Sequence, residues 1–202
     1  MEMKLNAKVL MTIISMAVFV ALIGYEWSNG VYEYIADTIF FMTLTLILLL
    51  LYKKLDLDLW CYASFILALM FHNAGAFGWY NISPLPLQWD HITHITGIFA
   101  PTLILFRFSR RFFSHQPFHN GYVILFTLLA ALGIGVFVEF YEFAGYFIVG
   151  EGVGGLGQGE GDFTTELGES LWLNTMLDMV FNVIGALFGL AGGFLLRYHK
   201  EG

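Results

Sequence analysis

Pairs of acidic, imidazole and amide side chains interrupt three apolar segments of this 202-residue chain. The pairs are Asp90 with His94, Glu139 with Glu142, and Asp178 with Asn182. Residues three or four positions apart share one helix face, so each pair can point toward a common neighbour. Carboxylates and imidazoles from different helices are usual ligands of zinc, iron or manganese, and helical bundles host such sites. The pattern predicts a divalent metal held by Asp90, His94 and Asp178, with one glutamate of the remaining pair as a general base.

Other polar side chains are predicted to support this site. His72 and Asn73 lie in a preceding apolar segment, and Asn182 can act as a hydrogen-bond partner. His91 lies three residues before His94 and can share its face. At the start of a helix near the interface, His91 can equally contact water or lipid headgroups, so it ranks below His94 as a ligand.

The composition indicates a membrane protein. The chain is 58% hydrophobic and only 12% charged, with a mean hydropathy of +0.71. Soluble domains carry about twice that charged fraction. The single Cys61 excludes an internal disulfide and a cysteine-rich metal site. A net charge of −7, without a basic patch apart from the membrane flanks, argues against nucleic-acid binding.

Six apolar segments are long enough to cross a bilayer, which takes about 20 helical residues. The predicted spans are approximately 9–24, 35–52, 59–80, 89–106, 121–149 and 175–196. They use most of the chain and leave no room for a soluble domain. The predicted fold is therefore all-α, with residues 1–202 forming one six-helix membrane domain.

The basic residues predict the orientation of the bundle. With six spans, every Lys and Arg falls on one side of the membrane, and the opposite connections carry acidic charge only. Cytoplasmic loops retain Lys and Arg, so both termini are predicted to lie in the cytoplasm and the spans in the cytoplasmic (inner) membrane. At about 1.5 Å per residue, the polar pairs then fall roughly 0 to 15 Å below the outer interface. The predicted site opens outward.

Three functions fit this polar layer. It can be a structural hydrogen-bond network, since buried polar groups must be satisfied whatever the function. It can bind a divalent metal or a polar membrane-borne ligand, with metal-assisted hydrolysis or transfer on a lipid or envelope substrate. It can form a proton or solute path in a small transporter, with histidines and glutamates as relay. Bound metal in the purified protein would distinguish the second function from the other two.

Glycines recur in two places. The acidic connection from 150 to 174 is predicted to be a flexible external loop, with a lid or a weak cation site as the functional alternatives. Gly185, Gly189 and Gly193 recur every four residues on the last span. Small residues at that spacing let helices approach closely, and packing within the bundle is favoured over a dimer interface.

Longer motifs carry a resemblance to known families. They are Trp89–His94 followed by Gly97 and Pro101, the pair Glu139 and Glu142, and the stretch Leu177–Gly189. Together they resemble the YjdF-like inner-membrane family and, more remotely, the VanZ-like proteins, which are associated with resistance to glycopeptide antibiotics acting on the cell wall. The resemblance covers about residues 72–196 and implies a small polytopic protein with a polar core near the outer face. The residues it marks are Asp90, His94, Glu139, Glu142, Asp178 and Asn182. It implies no activity, and His91 stands where the VanZ-like pattern often has a lysine.

Overall fold

A computed structural model describes residues 6–149 and 171–201 of the chain. In these two ranges the protein is all-helical and contains six helices long and apolar enough to cross a membrane, which confirms the predicted number. The helices are α1 (Ala7–Asn29), α2 (Glu33–Leu51), α3 (Leu59–Asn73), α4 (Trp89–Phe112), α5 (His119–Val149) and α6 (Leu171–Glu201). The 3₁₀ turn Ala74–Phe77 continues α3. The glycine-rich segment 150–170, with its predicted lid or cation site, lies outside the described residues.

Several helices are longer than the sequence predicts, and the extensions of α1 and α6 bring further polar residues into the bundle. The first runs on to Asn29, where Gly30 ends it in the left-handed conformation that glycine adopts without strain. Glu26 therefore lies in the last turn of α1 and is fully buried. The last helix begins at Leu171, which places Asn174 one turn before Asp178 on the same face.

Helix α4 lies at the centre of the polar half of the bundle, packed against α3, α5 and α6. Its closest neighbour is α6, and Gly185, Gly189 and Gly193 of α6 explain the close approach. A Cβ on Gly185 would collide with the carbonyl oxygen of Ile95, and Cβ atoms on Gly189 and Gly193 would also collide with α4. The glycines thus let α6 lie against the backbone that carries His94.

Polar contacts fix α4 to α3 at both ends. At the start of α4, the Trp89 indole Nε1 donates to the carbonyl oxygen of Phe71 at 2.9 Å. At the opposite end, the Arg107 guanidinium pairs with Asp58, which also caps α3 by accepting from the Cys61 amide. These contacts hold the first turns of α4, with their acid and imidazoles, in a fixed position beside α3.

Candidate metal centre

His94 is the centre of a buried cluster of carboxylates. Its side chain is 6% exposed, and its Nε2 lies 3.6 Å from Oδ1 of Asp90, one helical turn earlier on α4. The same nitrogen lies 3.7 Å from Oδ1 of Asp178 on α6, whose side chain is fully buried. One ligand atom from each of these three residues lies within 4.8 Å of the others, so the group could hold a metal ion.

Two amide side chains orient the members of this cluster. His94 Nδ1 lies 3.1 Å from Asn182 Oδ1, an atom that only accepts, so Nδ1 carries the proton of this hydrogen bond. Asn174 Nδ2 donates to Asp178 Oδ2 at 2.8 Å and leaves Oδ1 facing the imidazole. Partners of this kind fix the tautomer and orientation of metal ligands.

In this tautomer, Nε2 of His94 has an unfavourable electrostatic environment. A neutral imidazole that donates from Nδ1 has a lone pair on Nε2, and that lone pair faces two carboxylate oxygens. Within the described residues, one of these two oxygens, Asp178 Oδ1, is buried without a hydrogen-bond partner, and so is Asp90 Oδ2, the second oxygen of the other carboxylate. Three electron-rich atoms stay together in a buried site only when a proton or a cation lies between them.

The spacing of these atoms suits a metal better than direct hydrogen bonds. Hydrogen bonds between such groups span about 2.7 to 3.2 Å, shorter than the 3.6 and 3.7 Å observed here. Two ligands bound tetrahedrally at about 2.0 to 2.2 Å from one ion lie about 3.3 to 3.6 Å apart. The two distances from His94 Nε2 are thus close to those between ligands of one ion, and the ligand atoms of all three residues lie within 4.8 Å of one another.

The glutamate pair of α5 lies against the other side of His94. Glu139 Oε1 is 3.8 Å from His94 Nδ1, and Glu142 joins these two in a second group whose ligand atoms lie within 4.8 Å. Both glutamates are partly buried. We call Asp90, His94, Glu139, Glu142 and Asp178 together the acidic cluster. Its members lie on α4, α5 and α6, so three consecutive helices build it.

His91 lies apart from the ligand groups. Its ring stacks on Phe181 of α6 with 4.0 Å between the ring centroids, and the residue is 6% exposed. Neither group of potential ligands includes it. His91 thus packs beside the acidic cluster, between α4 and α6.

His72 belongs to a different arrangement of polar side chains. Its Nε2 lies 3.3 Å from Asp37 Oδ2 on α2, and its Nδ1 lies 3.0 Å from the Tyr80 hydroxyl. Tyr80 lies outside the membrane-spanning helices, and burial, followed by the charge of Asp90, raises its pKa well above the ordinary value. The hydroxyl therefore keeps its proton, and it donates to His72 Nδ1 in the neutral tautomer whose Nε2 donates to Asp37.

Asn73 continues this arrangement toward α1. Its Nδ2 donates to Thr38 Oγ1 at 2.9 Å, and Thr38 donates to Glu26 Oε1 at 2.8 Å. All three side chains are fully buried. We call Glu26, Asp37, Thr38, His72, Asn73 and Tyr80 the hydrogen-bonded cluster. It connects α1, α2 and α3 through hydrogen bonds, and among the described residues Glu26 Oε2 and Asn73 Oδ1 are buried without a hydrogen-bond partner.

Both clusters border one cavity of about 480 Å³. Asp37, His72 and Tyr80 line it from the hydrogen-bonded cluster. Asp90, His94 and Glu142 line it from the acidic cluster. The remaining lining is mostly aliphatic and aromatic, from α2, α3, α4 and α5. Chemical groups from both clusters can therefore reach a molecule in this space.

Five of these residues were absent from the site predicted from sequence: Glu26, Asp37, Thr38, Tyr80 and Asn174. Asn174 could have been found from the sequence, because it lies four residues before Asp178 and both residues fit one helix face. Asp37 lies inside an apolar segment, where an acid is costly unless it has a partner. Tyr80 could not be found this way, because its contact with His72 depends on the path of the 3₁₀ turn between them.

No curated protein and no solved structure matches this chain. One family model does match, over residues 7–201, and its description reads "Predicted membrane protein (DUF2238)". The match spans all six helices, in agreement with their length and apolar composition. The chain is accordingly a multi-pass membrane protein with a buried His/Asp/Glu cluster that could hold a metal. It belongs to the DUF2238 family of predicted membrane proteins.

Proposed function

We propose that this protein binds a divalent metal ion through Asp90, His94 and Asp178 and uses it for hydrolysis or group transfer on a membrane-borne substrate. One observation carries the proposal. The Nε2 atom of His94 faces carboxylate oxygens at 3.6 and 3.7 Å, and in the neutral tautomer that donates from Nδ1 to Asn182 its lone pair points at them. A divalent cation satisfies all three atoms at once, and zinc and manganese accept this nitrogen and oxygen set.

The glutamates of α5 supply the general base in this proposal. A bound metal would lower the pKa of a coordinated water, and an adjacent carboxylate can take up the released proton. Glu142 lines the cavity in which a substrate would lie. Glu139 Oε1 lies 3.8 Å from Nδ1 of the His94 imidazole. We assign the role of general base to Glu142. We assign to Glu139 the role of supporting the imidazole of His94.

The proposed location is the cytoplasmic (inner) membrane, with both termini in the cytoplasm and the metal centre near the outer face. The distribution of Lys and Arg supports this orientation, because every basic residue falls on one side of a six-span bundle. The resemblance to YjdF-like inner-membrane proteins agrees with it. The remoter VanZ-like resemblance points to envelope substrates.

Metal analysis of the purified protein tests the proposal. Wild-type protein incubated with zinc and then desalted should retain about one ion per chain, as a site with protein ligands does. The His94→Asn variant should retain none. His72→Asn is the matched control, since it makes the same change in a half-buried histidine whose partners are Asp37 and Tyr80.

The outcomes separate the candidate functions. Zinc lost in His94→Asn and retained in His72→Asn supports the metal centre. Wild-type protein without zinc, or equal retention by both variants, contradicts it. Folding of each variant is checked by its elution as a single species from a sizing column.

One observation favours a second candidate, a proton relay without a metal. Tyr80, His72 and Asp37 form a continuous chain of hydrogen bonds along the cavity wall. Such chains conduct protons in transporters. Proton uptake into vesicles containing the protein, abolished by His72→Asn and unaffected by zinc removal, would favour this function over the hydrolase.

A further inference from the structure

The cavity that joins the two clusters has a polar end and an apolar end. On α2 and α4 the polar lining residues Asp37, Asp90 and His94 precede the apolar ones. On α5 the order is reversed, with Ile134 and Phe137 before Glu142. This pattern is expected for neighbouring helices that cross a membrane in opposite directions. The cavity is therefore shaped for a molecule with a polar head and an apolar tail.

The apolar end reaches the surface that the acyl chains of the bilayer cover. Phe40 of α2 and Phe137 of α5 both line the cavity, yet they are 47% and 74% exposed. Both helices line this space, and within the described residues they are not among the helix pairs that pack closely together. A chain from the bilayer can thus pass between α2 and α5 without first leaving the membrane.

The polar end determines which headgroup fits. The carboxylates of the acidic cluster would repel an anion if no metal were bound. A divalent ion held by three protein ligands leaves a coordination position for the substrate. Phosphate oxygens are hard ligands that divalent ions bind readily. A cavity of about 480 Å³ also lies within the usual range for ligand pockets, about 300 to 1,000 Å³.

We propose that the substrate is a lipid with a phosphate headgroup, which enters sideways between α2 and α5 and places its phosphate at the metal centre. This inference rests on the proposed function for the metal. It names the substrate class: a phosphate-bearing amphiphile whose tail occupies the apolar end of the cavity.

Gly97 offers a way to block the cavity without disturbing the fold. It lies on α4, three residues after His94, and lines the cavity. A Cβ added there would meet nothing within 4 Å. A Gly97→Leu side chain would therefore fill the cavity without colliding with a neighbour at its first carbon. Gly133→Leu is the matched control, because Gly133 lies on α5 outside the cavity lining and a Cβ there is equally free.

The experiment measures lipid retention by native mass spectrometry. Zinc-loaded protein in detergent is given dioleoyl phosphatidylglycerol or, as the control without phosphate, dioleoylglycerol. Wild type and Gly133→Leu should retain phosphatidylglycerol at least about tenfold better than dioleoylglycerol, the effect of one favourable contact of modest strength. Gly97→Leu should lose phosphatidylglycerol while keeping its zinc, and zinc removal from wild type should also release the lipid.

Each outcome decides one proposal. Zinc retained by wild type with no preference for the phosphate lipid overturns the substrate assignment and leaves the metal centre standing. Phosphatidylglycerol retained equally by Gly97→Leu and Gly133→Leu also overturns it. No zinc in wild type overturns the metal centre, whatever lipid is bound.

Discussion

The two clusters that border the cavity solve the problem of buried polar groups in different ways. In the hydrogen-bonded cluster, the hydroxyl of Tyr80 and the amide of Asn73 each donate to an acceptor within 3.0 Å. In the acidic cluster, the imidazole of His94 has carboxylate oxygens at 3.6 to 3.8 Å on both sides. The first cluster is joined by direct hydrogen bonds, although Glu26 Oε2 and Asn73 Oδ1 are buried without a hydrogen-bond partner among the described residues. In the second cluster, ligand atoms of Asp90, His94 and Asp178 converge within 4.8 Å of one another.

This difference indicates which cluster is structural and which has a missing component. Direct hydrogen bonds between helices hold the helices that carry them in place. Carboxylates that converge on one buried imidazole are costly without a proton or a cation between them, and a cation is the component that would complete the group. The first three helices therefore look like a support, and the last three like a binding site.

The largest expected effect comes from removing one carboxylate from each cluster. Asp178→Asn should weaken zinc binding by more than about 100-fold, beyond the usual effect of a supporting partner. Asp37→Asn should leave zinc binding unchanged. Zinc titration by isothermal calorimetry measures both, and equal affinities in the two variants would contradict the comparison.

The same two variants should also differ in the sign of their effect on stability without metal. Asp178→Asn removes a carboxylate from an electron-rich group and should raise the melting temperature of the metal-free protein. Asp37→Asn weakens a partner of His72 and should lower it. A scanning-fluorimetry experiment in chelator compares them. A lower melting temperature for Asp178→Asn would indicate that its carboxylate is already satisfied.

The amide side chains should show a smaller contrast. Asn182→Ala removes the acceptor that fixes the His94 tautomer and should reduce zinc affinity by about 10- to 100-fold. Asn73→Ala should leave zinc affinity unchanged and cost about 1 to 3 kcal/mol of stability, because Thr38 loses its donor. Zinc titration and chemical denaturation of both variants measure the two effects. Loss of zinc affinity in Asn73→Ala would mean that the clusters act as one site.

The smallest expected contrast concerns the helix contact that brings the acidic cluster together. Gly185→Ala should cost about 1 to 3 kcal/mol, because its Cβ would collide with the backbone oxygen of Ile95. Gly24→Ala on α1 has open space around the new Cβ and should be neutral or stabilise by up to about 1 kcal/mol. Denaturation midpoints in detergent measure the difference. Equal midpoints would show that α6 does not depend on this close approach.

Much of the acidic cluster could be predicted from residue type and spacing. Asp90 and His94 are one turn apart on one helix, and an acid such as Asp178 inside an apolar span must find a partner. Membrane-spanning helices also restrict the possible depths, so acids and imidazoles at similar depth tend to meet. The spacing of residues along a helix and their depth in the membrane can both be read from the sequence.

The division into two clusters could not be predicted in the same way. His72 and Asn73 have suitable residue types and depth for the metal centre, yet they pair with α2 and with Tyr80. Which neighbour a helix face meets depends on the packing of the bundle, which the spacing of polar residues does not fix. The buried Glu26 was missed because α1 continues one turn past its apolar run.

The most direct test of the metal centre is X-ray absorption at the zinc edge of the loaded protein. The predicted spectrum shows nitrogen and oxygen ligands at about 2.0 to 2.2 Å, with the multiple scattering of one imidazole. That imidazole signal should disappear in His94→Asn and persist in His72→Asn. A zinc shell without imidazole, or one unchanged in His94→Asn, would contradict the account.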